Sequence, residues 1–301
     1  KDNLQPLSQI VFPNPVFDEA QKNAQIAALQ CTEYAQPAIG VLSAGLYKIL
    51  QSAGFKSDFV AGHSFGELTA LWAAGVLSEE DYLFLVKARG QAMAAPQDPN
   101  YDTGAMLAVK EELSKVEAVI RHYPQVAIAN FNSPNQIVLA GPTEAIAKVR
   151  QTLQDQGYTA VLLPVSAAFH TPLIAFAQKA FAIASKTVTF NSPKIPVYSN
   201  VSGNAYPFEP IEIHKILESH LSSSVLFKQE IENIYAAGGY CFVEFGPRRI
   251  LSNLVKEILG NRPHLTIALN PSTQKNSDRT LREAAVQMRV VGLSLQNLDP
   301  Y

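Results

Sequence analysis

The serine in Gly62-His63-Ser64-Phe65-Gly66 is the clearest candidate for chemistry in the sequence. The segment fits the pattern G-x-S-x-G between a predicted strand and a predicted helix, the context in which this pattern forms a nucleophile elbow. Such a turn exposes the Ser64 hydroxyl at a helix N-terminus, where unpaired N–H groups favour developing negative charge. The backbone N–H of Phe65 is then the expected oxyanion donor. The alternative is a glycine-rich turn with an N-cap serine, and the flanking strand and helix favour the nucleophile.

A serine nucleophile needs a general base, and the sequence contains six histidines. His170 follows a predicted strand, at the kind of position where catalytic groups collect in α/β folds. His63 is expected to point away from its neighbour Ser64. Four histidines are expected to be solvated surface residues: His122, His214, His220 and His264. Position alone leaves open whether His170 is the base.

Arg89 is the third candidate, on the second predicted helix after the serine. Its planar guanidinium could hold a substrate carboxylate through two parallel hydrogen bonds. The alternative is a cation near a helix C-terminus, which is common. Spacing alone favours that alternative.

Predicted strands and helices that alternate along the chain must position Ser64, His170 and Arg89. A strand is predicted at 58–61, directly before the elbow, with helices at 68–77 and 78–93 after it. The second helix begins with the capping-box-like Ser78-Glu79-Glu80-Asp81. The first 30 residues are loop-rich, and the other predicted elements are helices at 37–53, 172–185 and 209–221 and strands at 195–198 and 241–245. Strands that alternate with helices indicate a largely parallel sheet.

Shorter units follow one another between residues 103 and 166. Strands are predicted at 104–109, 125–129, 136–140 and 159–165, and helices at 111–122 and 143–156. This βαββαβ order is the ferredoxin-like pattern. The predicted fold class is therefore α/β, with an α/β-hydrolase-like large subdomain built on a parallel sheet and an inserted ferredoxin-like small subdomain. The predicted boundaries are 1–102 and 167–275 for the large subdomain, 103–166 for the small one and 276–301 for a linker.

Composition excludes several classes of protein. The 301 residues are 47% hydrophobic and 17% charged, and 24 Lys and Arg against 26 Asp and Glu give a formal net charge of −2. This balance leaves no broad basic surface for nucleic acid or an anionic membrane. No apolar run reaches the roughly 18 to 20 residues of a membrane helix. Cys31 and Cys241 match neither a disulfide scaffold nor a zinc site, so a reduced, cytoplasmic protein is expected.

Several motifs in one order resemble a known family. They are GHSFGE at 62–67, Arg89-Gly90, NFNSPNQ at 130–136 with LAG at 139–141, the stretch 165–172, and EFGP at 244–247. Together they resemble the malonyl-CoA:acyl-carrier-protein transacylase family over most of the chain. The residues of these motifs are most similar to those of acyltransferase domains of iterative type I polyketide synthases, of the polyunsaturated-fatty-acid and enediyne types. Residues 276–301 resemble the linker that follows such domains.

The resemblance implies roles for individual residues. Ser64 would be the nucleophile, His170 the general base and Arg89 the clamp for the malonate carboxylate. Gln36 and Asn132 match positions that line the family's active site, and Phe65 follows the nucleophile. Phe169 matches members that take malonyl, where its ring could occupy the space of an α-methyl group. A backbone carbonyl from the segment 224–227 is expected to orient the histidine in place of a triad acid.

The implied activity is transfer of malonyl from malonyl-CoA, through malonyl-O-Ser64, to the phosphopantetheine thiol of an acyl carrier protein. No bound cofactor and no metal is implied, and the partners would be the carrier protein and neighbouring synthase domains such as a ketosynthase. The family's GQGSQ loop, which gives a second oxyanion donor, is expected in a segment preceding residue 1. Its loss would cost a rate factor of roughly 10² to 10³. The alternatives are a serine hydrolase or thioesterase, and a catalytically weak structural domain.

Overall fold

The computed structural model describes residues 5–94, 101–165 and 167–296. The helices in these ranges are α1 Leu7–Val11, α2 Glu19–Gln30, α3 Thr32–Ser52, α4 Gly66–Ala73, α5 Glu79–Ala92, α6 Leu113–Ile120, α7 Thr143–Asp155, α8 Ala175–Ser185, α9 Pro210–Ser219, α10 Phe227–Ala236, α11 Ile250–Leu259 and α12 Ser277–Val290. The strands are β1 Ala105–Lys110, β2 Ala127–Ser133, β3 Gln136–Gly141, β4 Thr159–Leu162, β5 Cys241–Pro247 and β6 Leu265–Asn270. Short 3₁₀ helices occupy Pro172–Ile174 and His220–Ser222. None of the helices in these ranges is both long and apolar enough to cross a membrane.

The small subdomain is an antiparallel four-stranded sheet in the order β2-β3-β1-β4, with α6 and α7 as its connections. Central Leu107 pairs with Leu139 on one side and Leu162 on the other. The predicted ferredoxin-like fold is confirmed. Because side chains alternate along a strand, Leu107 and its face pack against the helices. The opposite face, including Met106, packs against Ala168 and Phe169, which directly precede His170, so this sheet covers one side of the candidate site.

The large subdomain contains parallel pairing, as the strand and helix alternation predicts. Strands β5 and β6 are parallel, with Val243 opposite Ile267. The predicted strands at 58–61 and 195–198 meet only at an isolated parallel bridge between Val60 and Val197. Residues 59–63 and β5 both line a cavity of about 580 Å³. Around the bridge at Val60, Val60 N–H donates to Pro196 O and Tyr198 N–H donates to Val60 O, both at 3.0 Å.

Helices surround the elbow. The cluster around α4 and α5 buries Leu71, Tyr82 and Leu85 completely, and α8 adds Phe181. The predicted cap of α5 is present, because the Ser78 side chain accepts the Asp81 N–H at 3.0 Å. This cap fixes where α5 begins and so which face of its last turn carries Arg89.

Other elements differ from the sequence predictions. Helices α1 and α2 lie in the stretch expected to be loop, and α10, α11 and β6 were not predicted. Helix α12 begins the segment expected to be a linker, and its Met288 is fully buried in a cluster with Leu269 of β6. Helices α1, α10 and α11 and strand β6 have at most ten residues each and bury apolar side chains, a contribution that local patterns do not report. The domain boundaries at 102, 166 and 275 stay predictions.

Candidate active site

Ser64 lies in a sharp turn between the residue 58–61 segment and α4, as predicted. Its φ is +50°, in the left-handed region that only a few non-glycine residues occupy. A Cβ on Gly62 would lie 2.0 Å from the Gly66 carbonyl carbon, so this position requires glycine. Gly66 has open space for a side chain, so the tight turn depends on the first glycine of the motif and not on the second.

His170 is the partner of Ser64. Its Nε2 lies 2.7 Å from Ser64 Oγ, and the residue is only 4% exposed. His170 also has a left-handed backbone, with φ +62°. Backbone strain of this kind costs of order 1 to 3 kcal/mol and persists where the surroundings over-determine it. The two candidate residues are thus held together by the tertiary fold.

A backbone carbonyl orients His170, as expected, but it comes from Ser223 and not from 224–227. His170 Nδ1 donates to Ser223 O at 3.0 Å and approaches His220 O at 3.3 Å. The carbonyl of Val225 is occupied by Phe131 N–H at 2.8 Å, because this residue pairs with β2. Since carbonyls only accept, Nδ1 carries the ring proton and Nε2 is free to accept the Ser64 proton.

Arg89 is 1% exposed and reaches the nucleophile from α5. Its Nη2 donates to Ser64 Oγ at 3.2 Å and its Nη1 donates to Gln36 Oε1 at 2.7 Å. Burial lowers the pKa of Arg89 from its ordinary value to about 9, while the Glu67 carboxylate opposes this shift. Arg89 is therefore still a cation at neutral pH. Its buried Nε has no hydrogen-bond partner among the described residues.

The remaining predicted residues occupy different parts of the site. The backbone N–H of Phe65 meets no acceptor in the described ranges, so it is free to receive an oxyanion. Gln36 is buried and holds Arg89. Asn132 Oδ1 lies 2.6 Å from His63 Nε2, so its side chain contacts that histidine and not Ser64. Phe169 is half-buried directly before His170.

Comparison with known proteins adds the family. The acyl transferase domain family matches residues 6–297, nearly the whole chain. This chain belongs to that family. It is 36% identical over 303 residues to a polyunsaturated fatty acid synthase polypeptide of Thraustochytrium sp., covering 99% of the chain and 10% of that protein. It is 34% identical over 295 residues to the malonyl CoA-acyl carrier protein transacylase of Bacillus subtilis, covering 91% of each.

Solved structures agree with this assignment. The malonyl CoA-acyl carrier protein transacylase from Clostridium perfringens has a TM-score of 0.81 and 30% identity, covering 95% of this chain and 85% of that one. The family resemblance of the motifs and the predicted fold class are both confirmed. The acyltransferase domain spans only a tenth of the length of the Thraustochytrium synthase polypeptide, so the activity of any longer protein is a separate question.

Two of the histidines that we expected on the solvated surface, His214 and His220, are not exposed. His220 was expected on the surface, but it is 1% exposed and its Nε2 lies 3.4 Å from Glu67 Oε2. His214 is half-buried and its Nε2 lies 2.9 Å from Ser185 Oγ. The predicted helix at 209–221 placed His220 on a polar face, whereas in the structure it begins the 3₁₀ helix that follows α9. Its ring faces inward, between Glu67 and the His170 ring.

Asn200 is a site residue that was not predicted from the sequence. Its Oδ1 accepts the Ser64 N–H at 2.5 Å, and its Nδ2 donates to Gly62 O at 2.7 Å. The side-chain amide therefore bridges the two sides of the elbow and occupies the Ser64 N–H. Asn200 lies far from Ser64 in the chain, and no local pattern marks it.

The environment of His170 predicts an unusual pH profile. Burial lowers the pKa of His170 well below its usual 6.5, and the charges of His220 and Arg89 act in the same direction. A general base works in its neutral form, so acylation should be lost only as pH falls through this lowered pKa. We expect kcat/KM for the acyl-CoA donor to stay flat from pH 7 to 6.5, with an acid limb whose midpoint lies below 6.5. Stopped-flow release of CoA across this range measures it, and a midpoint at or above 6.5 contradicts the prediction.

Proposed function

We propose that this acyltransferase domain moves a malonyl group from malonyl-CoA, through Ser64, to the phosphopantetheine thiol of an acyl carrier protein. The observation that carries the proposal is the Arg89 guanidinium, buried at 1% exposure with its Nη2 3.2 Å from the nucleophile oxygen. A buried cation is costly unless a negative group offsets it. The free carboxylate of malonate supplies that group beside the reacting thioester, and the names of the related transacylases agree.

The first half-reaction follows from the hydrogen bonds at Ser64. His170 Nε2 takes the Ser64 proton as Oγ attacks the thioester carbonyl carbon. The carbonyl oxygen becomes an oxyanion, which the Phe65 N–H stabilises. Collapse of this intermediate breaks the C–S bond, and His170 returns the proton to the CoA thiolate. The product is malonyl-O-Ser64, with its carboxylate on Arg89.

The second half-reaction reverses these steps with a different thiol. His170 accepts the proton of the phosphopantetheine thiol, and the thiolate attacks the ester carbonyl of malonyl-O-Ser64. Collapse breaks the C–O bond and His170 returns the proton to Ser64. No resident cofactor or metal takes part in this scheme. Malonyl-CoA is a substrate, and phosphopantetheine is carried by the partner.

One oxyanion donor is not accounted for by the described residues. Phe65 provides one N–H, while Asn200 occupies that of Ser64. A second donor from a GQGSQ-type loop in a preceding segment stays a prediction. One such donor lowers the activation barrier by about 3 kcal/mol. The domain by itself would then acylate more slowly than the same domain joined to that loop.

Malonyl selectivity is proposed to depend on Phe169 as well as Arg89. The Phe169 ring is packed between the large subdomain and the Met106 face of the small-subdomain sheet. Because Phe169 directly precedes His170, we propose that its ring faces the acyl group on Ser64. A ring there would discriminate against an α-methyl group by about 1 to 3 kcal/mol.

Transfer to a carrier protein separates the proposed function from hydrolysis. The domain is incubated with malonyl-CoA and a holo acyl carrier protein, and malonyl-carrier and free malonate are measured by mass spectrometry. We expect malonyl-carrier to form in proportion to the carrier supplied. Free malonate without malonyl-carrier would establish a thioesterase instead. Absence of both products would establish a structural domain and overturn the proposal.

The wider setting follows from the relatives and stays a proposal. The Thraustochytrium synthase polypeptide that this chain matches is about ten times longer, so we propose neighbouring domains, a ketosynthase among them. The cytoplasmic location expected from cysteine usage also stays a prediction. The predicted division into residues 1–102 and 167–275, 103–166 and 276–301 is proposed on the same basis.

A further inference from the structure

A buried polar cluster lies beneath the elbow, outside the residues assigned to the reaction. We call it the Glu67 cluster, and its members are Glu67, Asn200, Tyr206, His220 and Glu230. Each is at most 7% exposed, and both carboxylates are fully buried. Two buried carboxylates in one cluster are costly, and Glu230 Oε2 and both ring nitrogens of His220 have no hydrogen-bond partner among the described residues, so the presence of the cluster needs a physical reason.

Glu67 makes three contacts from one side chain. Its Oε2 accepts the Asn200 backbone N–H at 2.7 Å and lies 3.4 Å from His220 Nε2. Its Oε1 accepts the hydroxyl of Tyr206. The backbone N–H and the hydroxyl are donors, so a group that only accepts suits this position, and the carboxylate also faces His220 Nε2 without a hydrogen bond to it. A carboxylate meets that requirement, whereas an amide would direct an N–H₂ at one of them.

One arm of the cluster leads to the nucleophile. Glu67 fixes the backbone of Asn200, whose amide holds both the Ser64 N–H and the Gly62 carbonyl. Asn200 Nδ2 also donates to Glu230 Oε1 at 2.9 Å, which sets the orientation of the amide. These hydrogen bonds of Asn200 therefore stabilise the left-handed backbone of Ser64.

The other arm leads to the base. His220 packs edge-on against the His170 ring, with centroids 5.6 Å apart. The backbone around His220 supplies three acceptors to His170: His220 O and Ser223 O to Nδ1, and Leu221 O to the backbone N–H at 3.1 Å. The position of the His220 ring beside Glu67 therefore also fixes the His220 and Ser223 carbonyls, which face His170 Nδ1 and select its tautomer.

We propose that Glu67 is a positioning residue that sets the nucleophile and the base relative to one another, through Asn200 and through His220. The described residues place no carboxylate in hydrogen-bond contact with His170 itself. Glu67 thus orients the reacting groups through Asn200 and His220, whereas the acid of a catalytic triad orients the histidine by direct contact. The inference rests on the proposed function, because it assigns Glu67 a role through Ser64 and His170.

The test compares Glu67→Gln with Glu244→Gln. Glu244 is a matched control because it also accepts hydrogen bonds within the fold, from the N–H groups of Leu251 and Ser252, away from Ser64. Rapid-quench acylation by malonyl-CoA gives the acylation rate constant and the apparent KM. We expect Glu67→Gln to lower the rate constant about 10- to 100-fold, because a misplaced reacting group costs that much, with KM within about twofold. Glu244→Gln should keep the wild-type rate constant.

A second readout does not depend on activity. Ring ¹⁵N shifts of ¹⁵N-histidine-labelled protein report the tautomer of His170, which should be Nδ1–H in the wild type and in Glu244→Gln. Glu67→Gln should show a mixture of tautomers. If no protein is acylated, the proposed function fails, and the tautomer still decides the role of Glu67.

A further variant covers the possibility that Glu67→Gln does not fold. His220→Phe keeps a ring against His170 and removes the contact to Glu67, and we expect the same loss of rate and the same mixed tautomer. Wild-type acylation and a wild-type His170 tautomer in a folded Glu67→Gln or His220→Phe variant would overturn the proposal. Glu67 would then only stabilise the fold.

Discussion

Replacing Ser64 with alanine should abolish the covalent acyl-enzyme. Intact-mass spectrometry after brief exposure to malonyl-CoA should show one added malonyl group on the wild type and none on Ser64→Ala. The reason is that the ester forms on the hydroxyl that combines the His170 contact at 2.7 Å with the adjacent Phe65 N–H. Transfer to a carrier protein should fall by at least about 10³-fold, because loss of a nucleophile removes both half-reactions.

A second serine provides the control. Ser78→Ala removes the cap of α5, which costs about 1 kcal/mol of stability, and it leaves Ser64 unchanged. This variant should have a lower thermal midpoint and a complete malonyl adduct. An adduct that persists in Ser64→Ala would place the nucleophile elsewhere. Rapid CoA release by the wild type without any adduct would favour hydrolysis.

Replacing Arg89 with alanine should change which acyl group is accepted. Malonyl-CoA loses a buried charge-assisted contact, worth about 2 to 5 kcal/mol, or roughly 30- to 5,000-fold in kcat/KM. Acetyl-CoA has no carboxylate, so it does not lose this contact. The ratio of malonyl to acetyl kcat/KM should therefore fall by about 30-fold or more. Competition between the two donors, followed by intact-mass analysis, measures the ratio directly.

Arg89→Lys is the conservative comparison. It keeps the positive charge but lacks the second arm that donates to Gln36 Oε1 at 2.7 Å. Its ratio should lie between those of the wild type and Arg89→Ala. An unchanged ratio in Arg89→Ala would remove Arg89 from the carboxylate clamp, and with it the observation that carries the malonyl assignment.

Local patterns predicted the parts of the structure that depend on neighbouring residues. The elbow follows from Gly62 and the element order around it, and the cap of α5 follows from Ser78 and Asp81. The small subdomain follows from the βαββαβ order of its predicted strands and helices. Each of these elements depends on residues that are close together in the chain, where backbone sterics and side-chain period act directly.

Contacts between distant segments were not predictable in the same way. The carbonyl that orients His170 belongs to Ser223, because Val225 is already paired with β2. His220 is buried although the helix predicted at 209–221 placed it on a polar face. Glu67 stood in the recognised motif, yet nothing local indicated that its carboxylate faces Asn200 and His220. In each case the partner comes from a segment that is distant in the chain.

The sequence by itself determined which groups could react: a serine in a glycine turn, a histidine after a strand and an arginine on the second following helix. Side-chain chemistry and short spacing are properties of the chain before it folds. Only the tertiary structure decided that these three groups meet, with Arg89 excluded from water and His170 in one tautomer. Burial and long-range hydrogen bonds set the charge, the pKa and the orientation of each group, and those exist only once distant segments pack together.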